Sequence, residues 1–173
     1  MEHSKENNTS SKVLTDMQAE VISEQLNIPF VTVKTVIKNY RYILSEELHL
    51  GMEVRLGYIL KLVPDVVTNN YLATTGYEAS VISDNTSIPY NTVLSIITSY
   101  LDMIIDTLAK GKDFNVVGVV TLKSSFDGET SELKINTSTS RTLVDSLREY
   151  DRAVRVKLNK NLRDLFKKRV SIV

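Results

Sequence analysis

Residues Thr15–Leu62 align without a gap on residues Thr75–Leu122, a shift of 60 positions. Of the 48 aligned positions 14 are identical, where chance gives about three, so one supersecondary unit is written twice. Val21-Ile22-Ser23 recurs as Val81-Ile82-Ser83, and Ile28-Pro29-Phe30 as Ile88-Pro89-Tyr90. Thr32-Val33, Ile37, Tyr40, Leu48, Gly51 and Leu62 recur as Thr92-Val93, Ile97, Tyr100, Leu108, Gly111 and Leu122. Whatever fold the chain adopts must satisfy both copies.

Each copy reads as helix, turn, helix, strands. The first helix is expected over 16–26, with Met17, Val21, Ile22 and Leu26 on one side. Ile28-Pro29 breaks it, because the residue before a proline avoids the α region and proline suits a helix's first turn. The second helix is expected over 30–50. Val33, Val36, Ile37, Tyr40, Leu44 and Leu48 fall on helical spacing, as do Val93, Ile96, Ile97, Tyr100, Ile104 and Leu108. These stripes read as core rather than as grooves for a partner. Gly51 and Gly111 stand where a helix end calls for a positive φ. A strand pair follows over 54–63, ended by Pro64-Asp65, and 65–74 reads as a short connector.

The second copy continues where the first stops. Phe114, Val116, Val119 and Val120 form a β-branched and aromatic run, with Gly118 marking a bend or a close backbone approach. Residues 121–126 and 129–135 flank Asp127-Gly128, a two-residue hairpin signal. Residues 136–141 are polar and read as a loop, 142–150 as a helix carrying Leu143, Leu147 and Tyr150, and 158–170 as a basic last helix.

Two segments carry a resemblance. Val117-Gly118-Val119-Val120-Thr121-Leu122-Lys123 resembles the Gly-Phe-Gly-Thr-Phe corner of the HU/IHF family, with Val120 where that family has its second glycine. Val156-Lys157-Leu158-Asn159-Lys160-Asn161-Leu162-Arg163-Asp164 resembles the family's closing Phe-x-x-Gly-Lys-x-Leu-Lys-Asp, with Asn159 for the glycine. The likeness covers roughly residues 75–169. It implies an α+β fold of two tandem HU/IHF-like units. Residues 1–12 are then a disordered lead-in, 13–64 a truncated first unit, 65–74 the connector, and 75–173 a second unit with an insertion at 136–151. HU/IHF subunits dimerise through their helical halves, so two linked copies suggest a dimer-like pairing, within one chain or between chains.

Charge decides between the uses of such a fold. The chain carries 21 basic and 21 acidic residues. Residues 111–173 hold 13 basic against 8 acidic, which leaves 8 against 13 for residues 1–110. HU and IHF bend DNA with basic β-arms tipped by proline. Here the prolines are Pro29, Pro64 and Pro89, and residues 124–151 carry three basic against six acidic side chains. Such a surface repels phosphate. Tandem HU/IHF-like chains without arms resemble the tail ring proteins of crAss-like bacteriophages. That resemblance implies a virion structural protein, a multi-copy ring in a phage tail or portal–tail connector, assembled in the host cytoplasm. Its partners would be further copies of itself and neighbouring portal or tail proteins. Asp127, Gly128, Leu143, Leu147 and Tyr150 are the candidate protein contacts.

The alternative is an architectural DNA-binding protein working through the basic C-terminal segment. Arg155, Lys157, Lys160, Arg163, Lys167 and Lys168 are its candidate phosphate contacts. Catalysis finds no motif. There is no cysteine, and His3 and His49 stand apart. Glu46-Glu47 reads as a solvated helix pair. No enzyme, metal, cofactor, small-molecule substrate or membrane is expected, and the polar N-terminus lacks a signal-peptide h-region.

Overall fold

The computed structural model describes residues 2–57, 60–64, 67, 69, 71–126, 133–139 and 154–158. Its elements are α1 (Glu2–Leu26), α2 (Phe30–His49), β1 (Glu53–Leu56), β2 (Leu60–Pro64), β3 (Leu72–Ala73), α3 (Thr75–Thr86), α4 (Tyr90–Ala109), β4 (Phe114–Val116), β5 (Val120–Phe126), β6 (Leu133–Thr139) and β7 (Val154–Leu158). The class is α+β, with two small sheets ordered β3-β1-β2-β7 and β4-β5-β6.

The sequence repeat is a structural repeat. α2 and α4 start and end 60 residues apart (30 and 90, 49 and 109). Val54 pairs with Leu62 as Phe114 pairs with Leu122. Even the turn between the first two helices is copied. Asn27 and Ser87 both take positive φ, 54° and 61°. Ser23 Oγ donates to the Ile28 carbonyl at 2.6 Å, and Ser83 Oγ to that of Ile88 at 2.7 Å. Pro29 and Pro89 then precede the second helices with nearly equal backbone angles. Gly51 and Gly111 close those helices at φ 76° and 73°.

The copies pack against each other within one chain. α2 lies on α4, α1 crosses to α4, and α2 crosses to α3. All buried apolar positions of the two stripes fall into one core cluster. At its centre Tyr40 and Tyr100 meet edge to face, and Tyr100 does the same with Phe114. α4 is long and apolar enough by composition to cross a membrane. Its buried residues nevertheless form one face, and Asn91, Ser95, Thr98, Asp102 and Asp106 lie exposed along the other, the pattern of an amphipathic helix.

Several expectations are corrected. The lead-in 1–12 is helical from Glu2 onward, as the first part of α1. No glycine or proline interrupts residues 2–26, and each residue added to a nucleated helix gains a hydrogen bond. The connector 65–74 contains β3, which pairs parallel with β1. Of the two readings of Gly118 the bend holds: at φ 82° a Cβ there would meet nothing within 4 Å, so no backbone approaches closely. It serves a turn, in which Val119 N–H donates to the Val116 carbonyl at 2.9 Å and the third residue needs positive φ.

The hairpin also differs. Phe126 pairs with Leu133 and Val120 with Thr139, so Asp127-Gly128 is not a two-residue turn between 126 and 129. β6 runs through 136–139, which read as loop and as the start of the insertion. The slip is four residues (133 − 129), an even number, so the side chains keep the faces that alternation assigns them. Leu158, expected to open the last helix, ends β7. The expected helix over 142–150 and the rest of the last helix lie outside the described residues.

Candidate interaction surface and buried junction

Alternation along the strands gives each sheet an inner and an outer face. Val54, Leu56, Leu60, Leu62, Phe114, Val116, Val120 and Leu122 are buried beneath the helices. The outer face carries Glu53, Arg55 and Lys61 on the first sheet, and Asn115, Thr121, Lys123, Asn136 and Ser138 on the second. Lys61 Nζ donates to Glu53 Oε2 at 3.0 Å. The face is therefore polar and modestly cationic, suited to hydrogen-bonding a partner rather than to burying apolar surface.

β7 occupies on β2 the place that β6 occupies on β5. Leu60 pairs with Leu158, and its counterpart Val120 with Thr139. The C-terminal part of the chain thus supplies the third strand that the truncated first copy lacks. β6 and β7 are in contact, so the two sheets meet there. In register, Lys157 stands opposite Lys61 and Arg155 opposite Val63. These two candidate phosphate contacts are thereby brought to the edge of the first sheet. Lys160, Arg163, Lys167 and Lys168 lie outside the described residues, as do the candidate protein contacts Asp127, Gly128, Leu143, Leu147 and Tyr150.

A second polar feature is buried between the copies. Glu47 on α2 is 5% exposed and Glu78 on α3 is 0% exposed. Glu47, read as solvated beside Glu46, sits on the buried stripe between Leu44 and Leu48. The helical period alone could have placed it there. Among the described residues neither carboxyl has a donor from an N–H or hydroxyl group. The hydrogen bond open to them joins the two carboxyls, and it needs a proton on one. Burial, and then the neighbouring Glu47, together raise Glu78 to about 9. Burial raises Glu47 and the hydrogen bond with Glu78 opposes it, which leaves Glu47 at about 7. Both acids are shifted toward the protonated form, so the pair keeps a proton between them at neutral pH.

The surroundings keep the junction dry. The Tyr40 hydroxyl is pushed well up by burial and then by Glu78, Tyr100 and Glu47. Tyr100 is raised by burial, with the cationic Arg41 opposing. Burial draws Arg41 down, and its Nη1 donates to Thr15 Oγ1 at 3.0 Å. Among the described residues no group of three or more His, Cys, Asp or Glu is placed to hold a metal ion. His49 ends α2, where a cation complements the helix dipole.

No protein-family model matches the chain, and neither does any curated protein sequence.

Proposed function

We propose that this protein is a non-enzymatic structural subunit, two HU/IHF-like units fused into one building block, acting as a multi-copy ring component of a bacteriophage tail or portal–tail connector. The reading rests chiefly on the pairing of the two copies inside one chain. HU/IHF-like helical halves ordinarily pair between subunits; here that surface is satisfied internally around Tyr40 and Tyr100. The chain is then a complete block whose remaining surfaces are available for other subunits. Opposite charge on residues 1–110 and 111–173 favours contact between copies. The short hairpin of the second copy, set among acidic residues, fits a protein contact better than a DNA arm.

One observation favours a second reading, an architectural DNA-binding protein. β7 sets Lys157 opposite Lys61, beside an outer sheet face that also carries Arg55 and Lys123. That face is the surface on which phosphates would lie.

Sedimentation velocity on the full chain, with and without a labelled 30-base-pair duplex, separates the two. At about 150 mM salt, charges are screened beyond roughly 8 Å, so weak attraction does not mislead. Self-association with the duplex sedimenting free supports the structural reading. A monomer or dimer that carries the duplex overturns it, and replacing Arg55, Lys61, Lys123 and Lys157 by Gln then abolishes the co-sedimentation.

A further inference from the structure

The two copies are held together asymmetrically. Glu47 and Glu78 meet where α2 of the first copy packs on α3 of the second. The repeat places Thr107 and Gln18 at the equivalent positions (47 + 60 and 78 − 60). There Thr107 Oγ1 donates to the Met103 carbonyl of its own helix at 2.7 Å, so the α1–α4 crossing carries no acid at either position. The other crossing is built from two carboxylic acids.

Among the described residues no cation enters the balance of either acid. The described titratable side chain acting with them is Tyr40, from α2 itself. Tyr100, from α4, lies beside Tyr40, and Arg41 acts on Tyr100. α1 contributes Thr15, which accepts from Arg41. The exterior cations of β1 and β2, Arg55 and Lys61, stand on the outer sheet face, and Lys61 is paired with Glu53. Two ionised carboxylates at full burial, without a cation or a hydrogen-bond donor, repel each other and lose their hydration. With one proton between them they form a charge-assisted hydrogen bond instead.

We propose that the junction between the copies is a proton-dependent latch: a proton shared by Glu47 and Glu78 holds α2 against α3, and its loss at alkaline pH parts that crossing while the α1–α4 crossing, with no acid at the equivalent positions, stays closed. This inference is independent of the proposed function, since it concerns the block and not its partners.

The direction with pH follows from linkage. Both acids hold protons more tightly folded than unfolded. Their contribution is fully present below the ordinary carboxylate value. It falls away as pH rises through about 7 for Glu47 and about 9 for Glu78. The tyrosines stay protonated across this window because burial raises them too.

The test is thermal unfolding of the full chain from pH 5 to pH 10, in the native protein and in Glu78→Gln. The Gln amide donates to Glu47 as a protonated Glu78 would, so it imitates the closed latch. The native midpoint should fall by several degrees between pH 5 and pH 9. The variant should show a smaller fall and exceed the native midpoint at pH 9. Taking the difference between the two proteins removes any contribution from His3 and His49. Equal pH slopes in the two proteins overturn the latch. Should the variant fail to fold, carboxyl carbon NMR on the native protein decides. Resonances of Glu47 and Glu78 still moving above pH 6 support it, and titration complete by pH 5 overturns it.

Discussion

Tyr40 and Tyr100 are the same residue of two copies, and they meet edge to face with ring centroids 6.1 Å apart and planes at 89°. A T-shaped contact sets the positive edge of one ring on the negative face of the other. It also means that the repeat, read as a duplication in sequence, closes on itself at its own pseudo-equivalent position. Both rings are fully buried and, among the described residues, neither hydroxyl finds a partner. Tyr100→Phe therefore removes an unsatisfied group while keeping the packing, and should change stability by less than about 1 kcal/mol. Tyr100→Ala leaves a cavity against Tyr40 and Phe114 and should cost about 3–5 kcal/mol. Urea unfolding of the two variants measures the contrast. A large loss in the Phe variant would show that the hydroxyl has a partner after all.

Gly111 ends α4 at φ 73°. A Cβ in the left-handed region costs about 1–2 kcal/mol, and Asn tolerates that region better than Ala. Gly111→Ala should lower stability by about that amount, and Gly111→Asn by less. Denaturant midpoints give the order directly. Equal losses would mean that crowding and not φ selects the glycine.

Ser23 and Ser83 each bind the carbonyl five residues on, at the bond that leads into Pro29 or Pro89. That contact ties the left-handed residue of the turn to the helix before it. Each Ser→Ala change should cost about 0.5–1.5 kcal/mol, the usual net value of one hydrogen bond. The two bonds share no residue, so the double variant should lose roughly the sum. A double variant that loses no more than either single one would contradict two separate turn locks.

The regular core was legible because periodicity and breakers agree there. Pro29, Pro89, Gly51 and Gly111 bound helices whose apolar stripes admit one inward face. What stayed hidden depends on partners distant in the chain. Spacing alone puts Glu47 on the buried stripe of α2, but its partner Glu78 comes from α3, and no local signal joins the two. The pairing of β7 with β2 joins residues 60–64 to 154–158, and no local signal encodes such a contact. Asp127-Gly128 carries a strong local turn signal, yet Phe126 pairs with Leu133, because tertiary packing and not the dipeptide sets the strand register. Of the candidate contact residues, only Arg155 and Lys157 fall among the described residues, in β7.

β7 is the strand that completes the first sheet, and breaking it should expose β2. In an antiparallel pair, successive N–H groups point alternately toward and away from the partner strand. Of Val156→Pro and Lys157→Pro, one therefore removes a ladder hydrogen bond to β2 and the other removes an N–H that points outward. The damaging one should cost about 3 kcal/mol and the other much less. The first should also raise amide exchange along residues 60–64, because their partner is lost, while the β4–β5 pair stays protected. An exposed strand edge also invites pairing with another chain, so the damaging variant should form larger species in sedimentation velocity. Unchanged exchange along β2 in both variants would show that the first sheet closes without β7.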